Sequence, residues 1–300
     1  MQAKTNQFIG CECTFDEAEI VLFGAPYDST ASFRPGTRFG PNAMRMESVG
    51  IETYSMAIGR DLALDAKVFD SGDIELPFGD QARALALIES RAAEIAAAGK
   101  IPFLLGGEHL VTLGAVRALA AVFPQLRIIH FDAHADLRED YLGNPLSHAT
   151  VMRRCYDLLG DGRIFQFGIR SGTGEEREFM LQGRITSELF GDDTLAKVID
   201  TIPSGAPVYL TIDMDVVDPA EFPGTGTPEA GGWSYLRLVR NMRLIAQRLA
   251  VVGIDNVELN PQLDPSGRST ALACKFLREE LLSLRPPSSL RSTDDWPTMV

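Results

Sequence analysis

The sequence predicts an α/β protein, a single three-layer αβα domain with a mainly parallel central sheet. Three observations carry this. Short β-branched or apolar runs alternate with amphipathic stretches along most of the 300 residues, the pattern of a parallel sheet covered by helices on both faces. No composition break divides the chain, so it reads as one domain over 1–285. Each cluster of histidines and carboxylates follows an apolar run, at the sheet edge where open α/β folds place their ligands.

The elements follow in order. Ile20–Phe23 reads as a strand. Lys67–Phe69 is a weaker one, closed by the turn-rich Asp70-Ser71-Gly72-Asp73. Ala84, Ile88, Ala92 and Ile95 recur at helical spacing, and Gly99 fits the helix end. Ile101–Leu105 is a strand ending in Gly106-Gly107, and Leu113, Val116, Leu119 and Phe123 mark a helix. Arg127–Phe131 and Ile164–Gly168 are strands, and Val208–Ile212 follows the Pro203–Pro207 turn. Leu238, Met242, Ile245 and Leu249 line a helix before the strand Val251–Ile254. A last helix runs through Ala273, Leu277 and Leu281, and 286–300, rich in Pro, Ser and Asp, reads as a loose tail.

Composition narrows the function. The chain is 45% hydrophobic and carries a net charge of −13, with a pI near 4.8. Such a charge argues against nucleic acid or an anionic membrane as a partner. The amino terminus has no basic region followed by an apolar stretch, and no apolar run approaches the roughly 18 residues that span a bilayer, so the cytoplasm is expected. Cys11, Cys13, Cys155 and Cys274 show no disulfide or zinc-ribbon spacing, and Cys11 and Cys13 read as reduced surface thiols.

The four histidines, His109, His130, His134 and His148, all fall within forty residues. Three sit among carboxylates, in Gly106-Gly107-Glu108-His109 and in His130-Phe131-Asp132-Ala133-His134-Ala135-Asp136. A further pair of acids lies in Thr211-Ile212-Asp213-Met214-Asp215. Asp132, His134 and Asp136 share one face if the backbone is extended, and so do Asp213 and Asp215. His109, Asp132, His134, Asp136, Asp213 and Asp215 are too many ligands for one zinc and suit two divalent cations. Four carboxylates balance the charge of two such ions. Oxygen-rich ligation with two imidazoles and no thiolate favours Mn²⁺ over Zn²⁺.

These residues resemble the three signature regions of the ureohydrolases, the arginase/agmatinase family. The stretch Thr211 to Pro219, the Pro223-Gly224-Thr225-Gly226-Thr227-Pro228 loop and Gly231-Gly232 extend the match. Arg34 to Pro41, Gly72-Asp73, Pro145 to His148 and Gly168 to Gly172 look like the bacterial agmatinases. The resemblance implies an arginase-like fold holding two Mn²⁺ per chain. His109, Asp132, Asp136 and Asp213 would bind one ion, and Asp132, His134, Asp213 and Asp215 the other. It implies hydrolysis of a small cationic guanidino compound to urea and an amine by a hydroxide between the metals. His148 would move the proton to the leaving amine, and Glu258 would hold the guanidinium. It also implies a homo-oligomer, a trimer or hexamer.

His130 is expected to support the ligands rather than join them, and Asp218 and the glycines 224 and 226 to shape a loop beside the site. Glu108 stands where many members carry Asp and is expected beside His109. The stretch Leu137 to Tyr141 lacks the hydroxyl-rich segment with which arginases hold an α-amino acid, which points to agmatine rather than arginine. Arg138 keeps guanidinobutyrate in play. A non-catalytic metal-binding protein and a one-metal zinc deacetylase on a related fold are the readings from other classes.

Overall fold

The computed structural model describes residues 6–189 and 194–284. Strand β1 (Ile20–Ala25) leads to helix α1 (Gly40–Glu47), a small hairpin β2 (Tyr54–Ser55) and β3 (Arg60–Asp61), helix α2 (Leu62–Asp65) and β4 (Val68–Asp73). There follow α3 (Gln81–Ala97), β5 (Ile101–Gly106), α4 (Thr112–Val122), β6 (Arg127–Phe131), α5 (Val151–Leu159), β7 (Ile164–Ile169), α6 (Gly174–Leu181) and β8 (Thr186–Leu189). The last elements are α7 (Leu195–Ile199), β9 (Pro207–Asp213), α8 (Tyr235–Arg248), β10 (Ala250–Val257) and α9 (Arg268–Ser283). Eight strands form one sheet in the order β4-β1-β5-β10-β9-β6-β7-β8, and every pairing is parallel.

Two apolar cores flank the sheet, because its strands are buried on both faces and alternate residues point to opposite sides. Val21, Phe23, Leu104, Ile128 and Tyr209 pack under α3, α4, α5 and α6. Leu22, Phe103, Ile129, Leu210 and Ile254 pack against α1, α8 and α9. This is the three-layer αβα arrangement expected from the sequence. Helix α3 shows how local signals and packing agree. The Asp80 side chain caps its first turn by accepting the Arg83 N–H at 3.0 Å, and Gly99 leaves it with φ 73°. Its face of Ala84, Leu85, Ile88, Ala92 and Ile95 is buried, each large side chain stabilising by roughly 1.5–3 kcal/mol.

The structure departs from the sequence reading at particular points. β4 runs on through Asp70 to Asp73 rather than turning there. The Arg45 guanidinium, nearly fully buried, pairs with the buried Asp70 at 2.8 Å and with Asp73 at the strand end, so polar residues that read as a turn are tied into the strand. Cys11 is fully buried and not a surface thiol. Phe8, Cys11 and Ile20 share one core, and Cys11 O accepts the Asp70 N–H. The expected tail at 286–300 lies outside the described residues. Among the described residues, no helix is long and apolar enough to cross a membrane.

The exit of β5 wedges between two neighbours. Gly107 N–H donates to Ala25 O, Glu108 N–H donates to Tyr27 O, and Gly107 O accepts the Glu258 N–H at 2.8 Å. A Cβ on Gly107 would lie 2.0 Å from Tyr27 O, a backbone atom that cannot swing aside. Gly107→Ala is therefore expected to destabilise the protein by about 2 kcal/mol or more, read as a fall of several degrees in Tm by scanning calorimetry. An unchanged Tm would mean that this crossing is loose.

Candidate metal centre

Four adjacent strands, β5, β10, β9 and β6, end side by side, and each delivers part of the site beyond its carboxyl end. His109 opens a one-turn helix after β5. Asp132, His134 and Asp136 follow β6, Asp213 closes β9, and Glu258 follows β10. All are buried except His134, whose side chain is 24% exposed.

The distances define two groups of side chains around Asp132. His109 Nδ1 lies 3.1 Å from Asp132 Oδ2, 3.2 Å from Asp136 Oδ2 and 3.4 Å from Asp213 Oδ2. His134 Nδ1 lies 2.9 Å from Asp215 Oδ2 and 3.5 Å from the other oxygen of Asp132, Oδ1. Asp132 thus turns one oxygen to each imidazole. The side chains gather for other reasons than a shared strand face. His134 continues the extended path by bridging to Ser171, but Asp136 turns into the left-handed region at φ 53° and points to the His109 side. Asp215 sits in a one-turn helix, Met214–Val216, capped by Asp213 Oδ1, which accepts the Asp215 N–H at 2.8 Å. Glu258 is left-handed too, at φ 66°. Two such non-glycine residues at one site are strain held in place by the surrounding bonds.

Hydrogen bonding fixes what His109 can do. Thr211 Oγ1 donates to Asp255 Oδ1 at 2.7 Å, so toward His109 it can only accept, and His109 Nε2–H donates to it across 2.9 Å. Tyr209 and Thr112 donate to the other Asp255 oxygen. In the neutral ring Nδ1 is then a lone pair facing three carboxylates, buried and without a hydrogen-bond partner. Asp215 Oδ2 is likewise buried and makes no hydrogen bond. A divalent cation satisfies these lone pairs together, so the residues present fit a metal. The electrostatics agree. Burial resists a charge on His109, yet Asp132, Asp136 and Asp213 together raise its pKa well above the ordinary value. Burial, and then Asp215 and Asp132, push the Asp213 carboxyl well up. The cluster attracts positive charge and repels more negative charge.

His130 stands apart from the ligands, since both its ring nitrogens are engaged. Nε2 faces Asp132 Oδ2 at 2.8 Å, and Nδ1 meets the Gln166 amide at 3.0 Å. Glu108 turns its carboxylate away from His109. The extra methylene carries its buried carboxylate to Thr30, whose N–H and hydroxyl donate to it at 2.8 and 2.6 Å. Asp218 does shape a turn, accepting the N–H groups of Ala220, Gly231 and Gly232.

A cavity of about 250 Å³ opens over the cluster, bordered by His109, His134, Asp136, Asp213 and Glu258 at its base and by His148 on its wall. His148 Nε2 lies 3.1 Å from Ser32 Oγ, and burial lowers its pKa, which favours the neutral ring. Toward the mouth stand Arg138, Tyr141, Ser171 and Glu176. Of the acids Glu139, Asp140, Glu175 and Glu176, only Glu176 borders the cavity. Glu139 pairs with Arg153 and Arg154, and Asp140 accepts the Gly143 N–H. Arg138 lies over the Tyr141 ring and 3.9 Å from Glu176. Glu258 Oε1 accepts the His109 N–H at 2.8 Å, tying the cavity base to the β5 exit.

Sequence reasoning passed over Thr211 and Asp255. Both carried a signal, Thr211 two residues before Asp213 in one strand and Asp255 an acid closing an apolar strand. Thr30 and Ser32 lie in an aperiodic loop and carried none. Thr211→Val keeps the shape but removes the acceptor for His109 Nε2–H. It is expected to weaken metal retention about 10- to 100-fold, measured by competition with a chelator; unchanged retention would remove Thr211 from the centre.

The comparisons with known proteins agree with this geometry. The model of the arginase family matches residues 18–283. An agmatinase from Bacillus anthracis is 46% identical over 278 residues, 92% of this chain and 95% of that one. A guanidinobutyrase from Pseudomonas aeruginosa is 34% identical over 280 residues, 90% and 87% of the two chains. The crystal structure of agmatine ureohydrolase of Thermoplasma volcanium superposes with a TM-score of 0.85 at 35% identity, covering 93% of this chain and 94% of that one. With a parallel αβα fold, a buried His/Asp cluster suited to a divalent metal and a family match across nearly its whole length, this chain belongs to the arginase family of ureohydrolases.

Proposed function

We propose that this chain is a Mn²⁺-dependent agmatinase, hydrolysing agmatine to putrescine and urea. The observation that carries the reading is the buried cluster beneath a small cavity, in a chain 44–46% identical to several bacterial agmatinases. His109, Asp132, Asp136 and Asp213 would hold one ion, and Asp132, His134, Asp213 and Asp215 a second, with Asp132 and Asp213 between them. When bound, such a pair supplies Lewis acidity and a water-derived nucleophile near neutral pH. Glu258, at the cavity base, orients the guanidinium by its charge. His148, neutral and on the wall, takes up a proton and returns it to the departing amine.

The tail end of the cavity supports agmatine over arginine. The segment 137–141 beside it lacks the hydroxyl-rich run that would hold an α-amino acid, and a carboxylate buried without partners costs several kcal/mol. Arg138 lies over the Tyr141 ring with Glu176 3.9 Å away, an acid that offsets its pull on a substrate carboxylate. Four free cysteines, three of them buried, are compatible with a reducing cytoplasm, and a homo-oligomer is the expected assembly. A non-catalytic role is disfavoured by the intact set of ligands and by His148 beside them.

Urea release from agmatine, arginine and 4-guanidinobutyrate tests the reading. We expect kcat/KM for agmatine to exceed that for arginine by at least ~10²-fold, a gap of roughly 3 kcal/mol. A preference for guanidinobutyrate would keep the chemistry and overturn the substrate. Elemental analysis should find about two Mn²⁺ per chain, and Asp213→Ala should lose more metal than Asp136→Ala, since Asp213 would serve both ions. His148→Ala should lower kcat by about 10²–10⁴-fold with both metals retained. Unchanged kcat would take His148 out of the reaction.

A further inference from the structure

We propose that Glu108 is a positioning residue, setting the place of the His148 ring through Thr30. The inference rests on the role given to His148 above. Glu108 is fully buried, and both its oxygens are engaged by one residue, the N–H of Thr30 at 2.8 Å and its hydroxyl at 2.6 Å. Since the Thr30 hydroxyl hydrogen goes to Glu108, its oxygen is left to accept, and it takes the His148 N–H at 3.1 Å. Two residues on, Ser32 Oγ lies 3.1 Å from His148 Nε2. The buried carboxylate therefore reaches His148 twice, at its backbone through Thr30 and at its ring through the loop that Thr30 anchors. Bonds of one direction in a chain of this kind strengthen one another.

The loop has separate moorings at its far end. Asp28 accepts the Gly36 N–H at 2.7 Å, and Arg34 Nε donates to Gly226 O at 3.0 Å. Glu108 holds the middle. Its length matters: an aspartate would withdraw the carboxylate by about 1.5 Å, one carbon–carbon bond, and leave both Thr30 donors short. The neighbours Glu108 and His109 thus divide the work of one strand end. His109 faces the carboxylate cluster, and Glu108 faces the loop that carries the proton-transfer side of the cavity.

The test compares the metal-loaded wild type with Thr30→Val, Thr30→Ser, His148→Ala and the double variant Thr30→Val/His148→Ala. Glu108→Ala opens a buried site and lowers stability by itself, so the Thr30 variants decide. Thr30→Val should lower kcat for agmatine at least ~10-fold with KM and metal content unchanged, and Thr30→Ser should restore it to within about twofold. In the His148→Ala background, Thr30→Val should add less than about twofold, because the two act as one unit. Carbethoxylation of His148 by diethyl pyrocarbonate, mapped by mass spectrometry, should change rate in Thr30→Val and not in Thr30→Ser. A Thr30→Val enzyme with wild-type kcat, a fully additive double variant, or an unaltered modification rate would each overturn the positioning role. Absence of urea from agmatine in the wild type would instead overturn the proposed function, and the modification rates would still judge the positioning.

Discussion

An imidazole whose hydrogen is already committed governs the centre of this molecule. Asp255 takes the hydrogen of Thr211, Thr211 takes that of His109 Nε2, and Nδ1 is left bare among three carboxylates. In a buried crevice such a gathering of lone pairs is unfavourable unless a cation lies among them. The network dictates where that cation goes as well as that it is needed. It is built from the sheet itself, since Tyr209 and Thr211 lie on β9 and Asp255 on the adjacent β10, and Thr112 brings in the start of α4.

The rest of the site can be understood as ways of holding like charges together. Asp132 is steadied by His130, whose other nitrogen meets Gln166, and Gln166 in turn donates to Ala135 O at 2.7 Å. The Arg170 guanidinium donates to the carbonyls of Gly168, Asp215, Val216 and Glu229, pinning the turn that carries Asp215. Asp136 and Glu258 keep left-handed backbones at the same edge. His130, Gln166 and Arg170 are not among the proposed ligands, yet each removes a freedom that repulsion between the acids would otherwise use.

Much of this was legible in the sequence. Strands such as Arg127–Phe131 and helices such as the one bearing Ile88 announce themselves because burial on a fixed face imposes a period. The ligand candidates were legible because few other structures tolerate so many acids and imidazoles at strand ends. Elements that do not build the core from their own periodicity were not legible. Helix α6 is polar and is started by the capping box of Thr173 and Glu176, and β8 is a short edge strand. The continuation of β4 through Asp70 depends on Arg45, twenty-five residues earlier, and no local pattern could report it. The direction of Glu108 was not legible because its partner, Thr30, lies seventy-eight residues before it. The spacing rule brought Asp213 and Asp215 together for a wrong reason, since one of them sits in a helical turn.

The place of β10 in the sheet has a consequence for the order in which the molecule can be made. β5 pairs with β1 and β10, and β9 pairs with β6 and β10. Without β10 the sheet is two pieces, β4-β1-β5 and β9-β6-β7-β8, with His109 on one and the other five proposed ligands on the second. During synthesis from the amino terminus no strand pairing joins these pieces until β10 has left the ribosome. The sheet is therefore completed last, and a chain cut short before β10 would carry every proposed ligand without the strand that joins the two halves.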